Sequence, residues 1–187
     1  MSVMSGIDAW WAAGEHVELE LDGARRRVFV RRAGDGPVLT LLHGFPSSSY
    51  DWAKIAPALG RTHALVMPDF LGFGASDKPH EHTYSIHEQA DLVEGLWALL
   101  GVGRTALVAH DYGVSVAQEL LARRGGGAAA AELVGVTFLN GGLYPDLHRP
   151  EPIQTALLDP EQGPQISAAV NEELLAAAIA PTWGAGF

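Results

Sequence analysis

Residues 105–124 read TALVAHDYGVSVAQELLARR, and this stretch decides how the rest of the chain is read. Ala106, Leu107, Val108 and Ala109 form a short apolar run that fits a buried strand. From Val114 the apolar positions recur at helical spacing through Val116, Ala117, Leu120 and Leu121. His110-Asp111-Tyr112-Gly113 must make the turn between the two. Small residues at Ala109 and Gly113 let backbone pack against backbone, which lifts the Asp111 side chain into view at the C-terminal end of the strand. That is the geometry of a nucleophile elbow carrying a carboxylate. The same residues also fit a helix N-cap, because Asp is among the best capping residues and here precedes a helical pattern. Taken alone they leave both readings open, and the upstream chain separates them.

The bulk composition bounds the function classes. A chain of 187 residues fits one domain with a sizeable core. Acidic residues outnumber basic ones by 22 to 12, and the formal net charge of -10 repels phosphate backbones and argues against nucleic-acid binding. The cluster Arg25-Arg26-Arg27 with Arg31-Arg32 falls on a predicted strand and reads as a solvated face or edge protection. The absence of cysteine excludes disulfides, thiolate metal sites and cysteine nucleophiles, and suits a reducing cytosol. The N-terminal MSVMSGIDAWWAAGE lacks the basic start and apolar core of a secretory signal. No apolar run approaches the roughly 20 residues that span a bilayer. The expectation is a soluble, cytoplasmic protein.

In chain order, residues 7–14 predict a short helix or cap. The alternation of Val17, Leu19, Leu21 and then Val28, Val30 through Asp22-Gly23 predicts an antiparallel hairpin. Residues 38–42 are a continuous apolar run suited to a strand buried on both faces. The run ends in His43-Gly44-Phe45-Pro46, a loop that can aim the Phe45 backbone N–H at a developing negative charge. The alternative for this loop is a plain connection with His43 a satisfied structural histidine. A helix over residues 50–59 and a strand over residues 63–67 follow. The glycine-punctuated stretch at residues 69–77 lacks both the third glycine of a dinucleotide fingerprint and the lysine of a P-loop, so it reads as a structural or substrate-facing loop. His80, His82 and His87 have no supporting carboxylate pattern for a metal site and read as solvated loop. Residues 85–100 predict an amphipathic helix stopped by Gly101.

After the elbow helix, the Gly/Ala stretch at residues 125–131 reads as a surface connector, and residues 133–139 as one more strand ending at Asn140-Gly141-Gly142. From Pro145 prolines interrupt helical stretches near residues 153–158 and 166–179, which predicts a second, helical subdomain. The boundaries are therefore 1–144 for an α/β core and 145–187 for the start of a lid. Strands alternating with helices from Val38 onward imply a doubly covered, mostly parallel sheet.

The motifs HGFPSSSYDW (43–52), DFLGFGASDKP (69–79), YSIHEQA (84–90), HDYG (110–113) with VAQELLAR (116–123), and NGGLYP (140–145) with HRP (148–150) stand in the order they have in the α/β-hydrolase superfamily. Together they resemble the mesoderm-specific transcript protein group, which is similar in turn to the aspartate-nucleophile branch of epoxide hydrolases and haloalkane dehalogenases. The resemblance covers roughly residues 10–150. It implies that Asp111 is the nucleophile and that the Phe45 and Tyr112 backbone N–H groups form the oxyanion hole. It further implies a substrate pocket touched by His43, His110, Asn140 and Tyr144, a small hydrophobic electrophilic substrate, and neither cofactor nor metal. A carboxylate is ionised at neutral pH and needs no base to attack an sp3 carbon, giving an alkyl-enzyme ester. Release of that ester requires a histidine, oriented by an acid, to activate water.

The sequence departs from that pattern downstream. Its one histidine after Asp111 is His148, in the HRP motif and not where the catalytic base belongs. The expectation is the first part of such an enzyme, ending inside the lid and leaving a sheet edge through which a dimer could form. Tyr112 stands where dehalogenases place a halide-holding Trp, and Gly113 and Val114 stand where fluoroacetate dehalogenases place arginines, so the balance leans toward epoxide-hydrolase-like chemistry. The competing readings are a non-catalytic binding or interaction protein that keeps the first part of the fold, and a carboxylesterase using Ser115, which falls inside the predicted helix.

Overall fold

The structure, a computed structural model, describes residues 6–125, 130–147, 149–150 and 152–180. The chain forms two compact units, Met1–Leu143 and Tyr144–Phe187. The first opens with helix α1 (Gly6–Ala12), followed by the hairpin of β1 (Glu15–Leu21) and β2 (Ala24–Ala33). Leu21 pairs with Ala24 across the two-residue turn, and both turn residues take positive φ, 48° at Asp22 and 71° at Gly23. An Asp-Gly turn of this kind matches the right-handed twist of the two strands it joins.

Four further strands are β3 (Val38–Leu42), β4 (Ala64–Pro68), β5 (Arg104–His110) and β6 (Glu132–Leu139). They complete a six-stranded sheet of order β1-β2-β4-β3-β5-β6, in which β4, β3, β5 and β6 run parallel and the β2 pairings are antiparallel. Side chains alternate across such a sheet. Accordingly Leu39 and Leu41 of β3 join one core cluster with Leu65, Met67, Trp52 and Ala56, while Leu42 joins the other with Leu96, Trp97, Val114 and Leu120. Both faces of the central strands are therefore covered, as the continuous apolar run at residues 38–42 predicts.

Helices α3 (Ile86–Leu100) and α4 (Tyr112–Gly125) pack on the larger cluster. Ser85 caps α3 by accepting from the Glu88 N–H, and Gly101 ends it in the left-handed conformation at φ 67°. Trp97 of α3 donates its indole N–H to Thr40 Oγ1 at 3.0 Å, and Thr40 in turn meets Thr105 Oγ1 at 3.0 Å, so the buried hydroxyls under the helix are satisfied.

The predicted helix over residues 50–59 is divided into a 3-10 turn at Ser49–Trp52 and a short α2 (Ala56–Leu59). Pro57 lacks the N–H that a continuous helix would need and disfavours helical backbone in the residue before it. The connector at residues 125–131 falls largely outside the described residues, as does His148.

The second unit holds a 3-10 turn (Pro145–Leu147), α5 (Pro152–Leu157), α6 (Gln162–Ala169) and α7 (Glu172–Ile179). The single helix expected over residues 166–179 breaks at Val170, whose backbone is extended at ψ 126°. Asn171 then caps α7 through its own side chain, which accepts from the Leu174 N–H at 2.9 Å. Among the described residues no helix is long and apolar enough to cross a membrane.

Candidate active site

The elbow is built where β3, β5 and β6 end side by side. Asp111 follows β5 directly and adopts φ 51°, a left-handed conformation that is uncommon for a residue with a side chain. Three backbone hydrogen bonds hold it there. Its N–H donates to Leu139 O at 2.9 Å, its carbonyl accepts from the Val114 N–H at 3.0 Å, and the Gly113 N–H reaches back to His43 O at 3.1 Å. The last contact brings α4 so close to β3 that a Cβ at Gly113 would stand 2.7 Å from Leu42 O. Glycine is required there by space.

The loop after β3 crosses the elbow. The Phe45 N–H donates to Asp111 Oδ1 at 2.8 Å. A Cβ on Gly44 would lie 2.8 Å from the Asp111 Cβ, 3.0 Å from His110 Nδ1 and 3.1 Å from Asp111 Oδ1, so the loop approaches the carboxylate only because position 44 carries no side chain. The peptide between Phe45 and Pro46 is cis.

His43, expected at a substrate pocket, has both ring nitrogens engaged by the backbone. It is fully buried beneath the loop, with Nδ1 2.8 Å from Gly44 O and Nε2 accepting from the Phe70 N–H at 3.0 Å. Burial pushes its pKa down against the opposing hydrogen bond to Gly44. His110 is part-exposed beside the elbow, its Nδ1 4.0 Å from Asp51 Oδ2 and its ring edge-on to Trp52. Asn140 follows β6 at φ 52°, and its neighbour Gly141 packs so tightly that a Cβ would meet Asp111 O at 2.8 Å. The elbow, the Phe45 loop, His110 and Asn140 are thus brought together. Tyr144 begins the second unit and is exposed. Ser115 lies within α4 and not at the turn.

Tyr112, the first residue of α4, packs its ring against Phe70 and Phe73 with centroids 5.7 and 5.6 Å away. Burial and then nearby Glu88 push its hydroxyl pKa up, while a hydrogen bond with Gln89 of α3 opposes the shift. Phe73 also meets Phe45 edge-on at 6.2 Å, so an aromatic group runs from the loop to the elbow helix.

Asp69, which precedes Phe70 in the chain, is not singled out by sequence reasoning. It is fully buried after β4, where Oδ1 accepts from the Ser49 N–H and Oδ2 from the Ala75 N–H, both at 2.7 Å. Its carbonyl accepts from Ser76 Oγ at 2.7 Å. The signal that could have found it is a carboxylate placed immediately after a fully apolar strand and followed by glycines at positions 72 and 74. Gly74 adopts φ 49°, and a Cβ there would stand 2.0 Å from Asp69 Oδ2. The loop curls over a buried carboxyl group whose oxygens are held by two backbone N–H groups, one from the loop and one from the Ser49 turn. Among the described residues no group of three or more histidines and carboxylates is arranged to hold a metal.

The family model described as alpha/beta hydrolase fold matches residues 37–180. The chain belongs to the α/β-hydrolase family. Within that family it is similar to the mesoderm-specific transcript protein of Mus musculus, at 48% identity over 130 residues that cover 67% of this chain and 39% of that protein. It is also similar to a soluble epoxide hydrolase of Corynebacterium sp. (strain C12), at 39% identity over 85 residues, 46% of this chain and 29% of that one. Among solved α/β-hydrolase structures, the epoxide hydrolase VrEH1 from Vigna radiata superposes with a TM-score of 0.69 at 25% identity, covering 92% of this chain and 58% of the other. The chain spans less than half the length of these curated relatives.

Proposed function

We propose that Asp111 is the nucleophile of a hydrolase that attacks an sp3 carbon, with the Phe45 and Tyr112 backbone N–H groups as its oxyanion hole. The observation that carries this reading is the Asp111 carboxylate itself, presented by a left-handed turn at the end of β5 with Oδ1 already 2.8 Å from the Phe45 N–H. One carboxylate oxygen held by a backbone donor leaves the other to form the new bond. Attack makes a carbon–oxygen ester bond and breaks either a carbon–oxygen bond of an epoxide, whose oxygen keeps the electron pair and takes a proton from water, or a carbon–halogen bond, whose halide departs as the anion. Release needs water to add to the ester carbonyl while a base takes its proton, and the two N–H groups would face the oxyanion that forms. No described residue is assigned as that base.

An epoxide is favoured over an alkyl halide. A departing halide is stabilised by a donor beside the nucleophile, and the Tyr112 side chain is packed against Phe70 and Phe73 with its hydroxyl engaged by Gln89. The apolar rings of Phe45 and Phe73 suit a small hydrophobic substrate. We propose that two copies pair along the outer edge of β6, which has no further strand beside it among the described residues.

The test is incubation of the full chain with styrene oxide and, separately, with a primary alkyl bromide, followed by intact mass and peptide mapping. A single adduct on Asp111 that is absent from the Asp111→Asn chain is expected. Adducts unchanged in that variant, or none with either reagent, would favour a protein that keeps the fold for binding alone.

A further inference from the structure

The Phe45 N–H that reaches Asp111 is one end of a peptide unit whose other end is the Gly44 carbonyl. Two side chains approach that carbonyl, the His43 ring through Nδ1 at 2.8 Å and the Ser47 hydroxyl at 3.1 Å. A hydroxyl has one proton to give, and Ser47 also donates to Asp51 Oδ2. The imidazole is therefore the undivided donor. Its protonation is set from the far side, where the Phe70 N–H points at Nε2 from 3.0 Å and requires a lone pair there. The proton of the neutral ring then stands on Nδ1, directed at Gly44 O.

On the reading that Asp111 is the nucleophile and Phe45 an oxyanion donor, we infer that His43 is a positioning residue whose Nδ1–H grips the Gly44 carbonyl and so aims the Phe45 N–H at the Asp111 carboxylate. A carbonyl that accepts a hydrogen bond polarises its peptide and makes the attached N–H a better donor, so the ring acts on strength as well as direction. Full burial of His43 keeps the imidazole neutral, and protonating Nε2 would set two donors against each other at the Phe70 N–H. The network thus runs from the loop after β4, through the ring, to the elbow.

Two substitutions separate the roles of the two ring nitrogens. His43→Asn keeps an N–H donor near the Nδ1 position, while His43→Gln reaches toward the Nε2 position, where it accepts from Phe70 but leaves Gly44 O without its donor. The readouts, in the full chain, are the Phe45 amide proton shift and the rate at which styrene oxide alkylates Asp111. His43→Gln is expected to move the amide upfield and slow alkylation about tenfold or more, and His43→Asn to keep the shift and stay within about threefold of the unsubstituted rate. Equal losses in both variants, or the reverse order, overturn the assignment, because a histidine that only fills space has no reason to distinguish its nitrogens in this way.

A measurement on the unsubstituted chain decides the matter should neither variant fold. Long-range proton–nitrogen spectra of the imidazole are expected to show the proton on Nδ1 and a bare Nε2 from about pH 8 down to about pH 6. A proton on Nε2 overturns the proposal. If styrene oxide leaves the unsubstituted chain unmodified, the hydrolase reading fails while the imidazole spectrum and the Phe45 shift still decide the role of His43.

Discussion

The sheet has two edges, and they are finished differently. At β1 Glu18 and Glu20 point to one face and pair with Arg25, Glu15 at the start of the strand pairs with Arg32, and Leu19 and Leu21 are buried under α3 on the other face. Charge along an edge strand discourages another chain from pairing with it. At β6 the half-buried Leu133, Val136 and Phe138 face the core, but Val134 is 48% exposed and Leu139 38% exposed. The first edge is closed by charge on one face and a helix on the other. The second has no further strand beside it among the described residues and carries exposed apolar side chains, and among the ion pairs of the described residues the sole one on that strand is Glu132 with Arg104 at its start. Proximity to the elbow makes the contrast matter, since Leu139 O holds the Asp111 N–H.

The largest effect that would break this comparison is expected beside β1. Leu21→Ala removes a side chain that is 2% exposed and should cost about 2–5 kcal/mol in urea unfolding. Val136→Ala on β6, half-buried, should cost roughly 1 kcal/mol; equal losses at the two positions would erase the difference between the edges.

Between these lies a pH effect from the interior. His43 stays neutral in the folded chain, whereas a histidine in the unfolded chain takes up a proton near pH 6.5. The unfolded state then binds more protons, so this contribution is complete above about pH 6.5 and is lost as pH falls toward the depressed folded value, by at most about 1.4 kcal/mol per pH unit. Urea titrations at stepped pH should show that fall, and His43→Asn should flatten it. The smallest effect on stability is expected from Val134→Lys combined with Leu139→Lys, within about 0.5 kcal/mol. The same pair should nevertheless suppress self-association measured by sedimentation, and unchanged association would remove β6 as the pairing edge.

Local chemistry explains what was readable beforehand. The strand at residues 38–42, the Asp22-Gly23 turn and the Ser85 and Gly101 ends of α3 each follow from residues that are neighbours in sequence. Breaks were less visible: Pro57 divides one expected helix, and Asn171 restarts another by capping it with its own side chain. Strand order depends on pairings such as Leu39 with Ala106, far apart in the chain, and no local pattern encodes it. At the site, the sequence placed Asp111 at a turn and Phe45 on a loop. It did not show that His43 is fully buried, because burial and the Phe70 hydrogen bond are properties of the folded loops. Asp69 escaped for the same reason, since its partners Ser49 and Ala75 lie on two different segments.

The turn at Asp111 is secured by main-chain bonds to Leu139, Val114 and, through Gly113, His43. None of these bonds uses the carboxylate. On the proposed reading, position 111 works as a socket, in which the frame supplies orientation and the inserted side chain would supply reactivity. Exchanging that one side chain should leave its mount in place, because the bonds that hold the turn belong to the main chain.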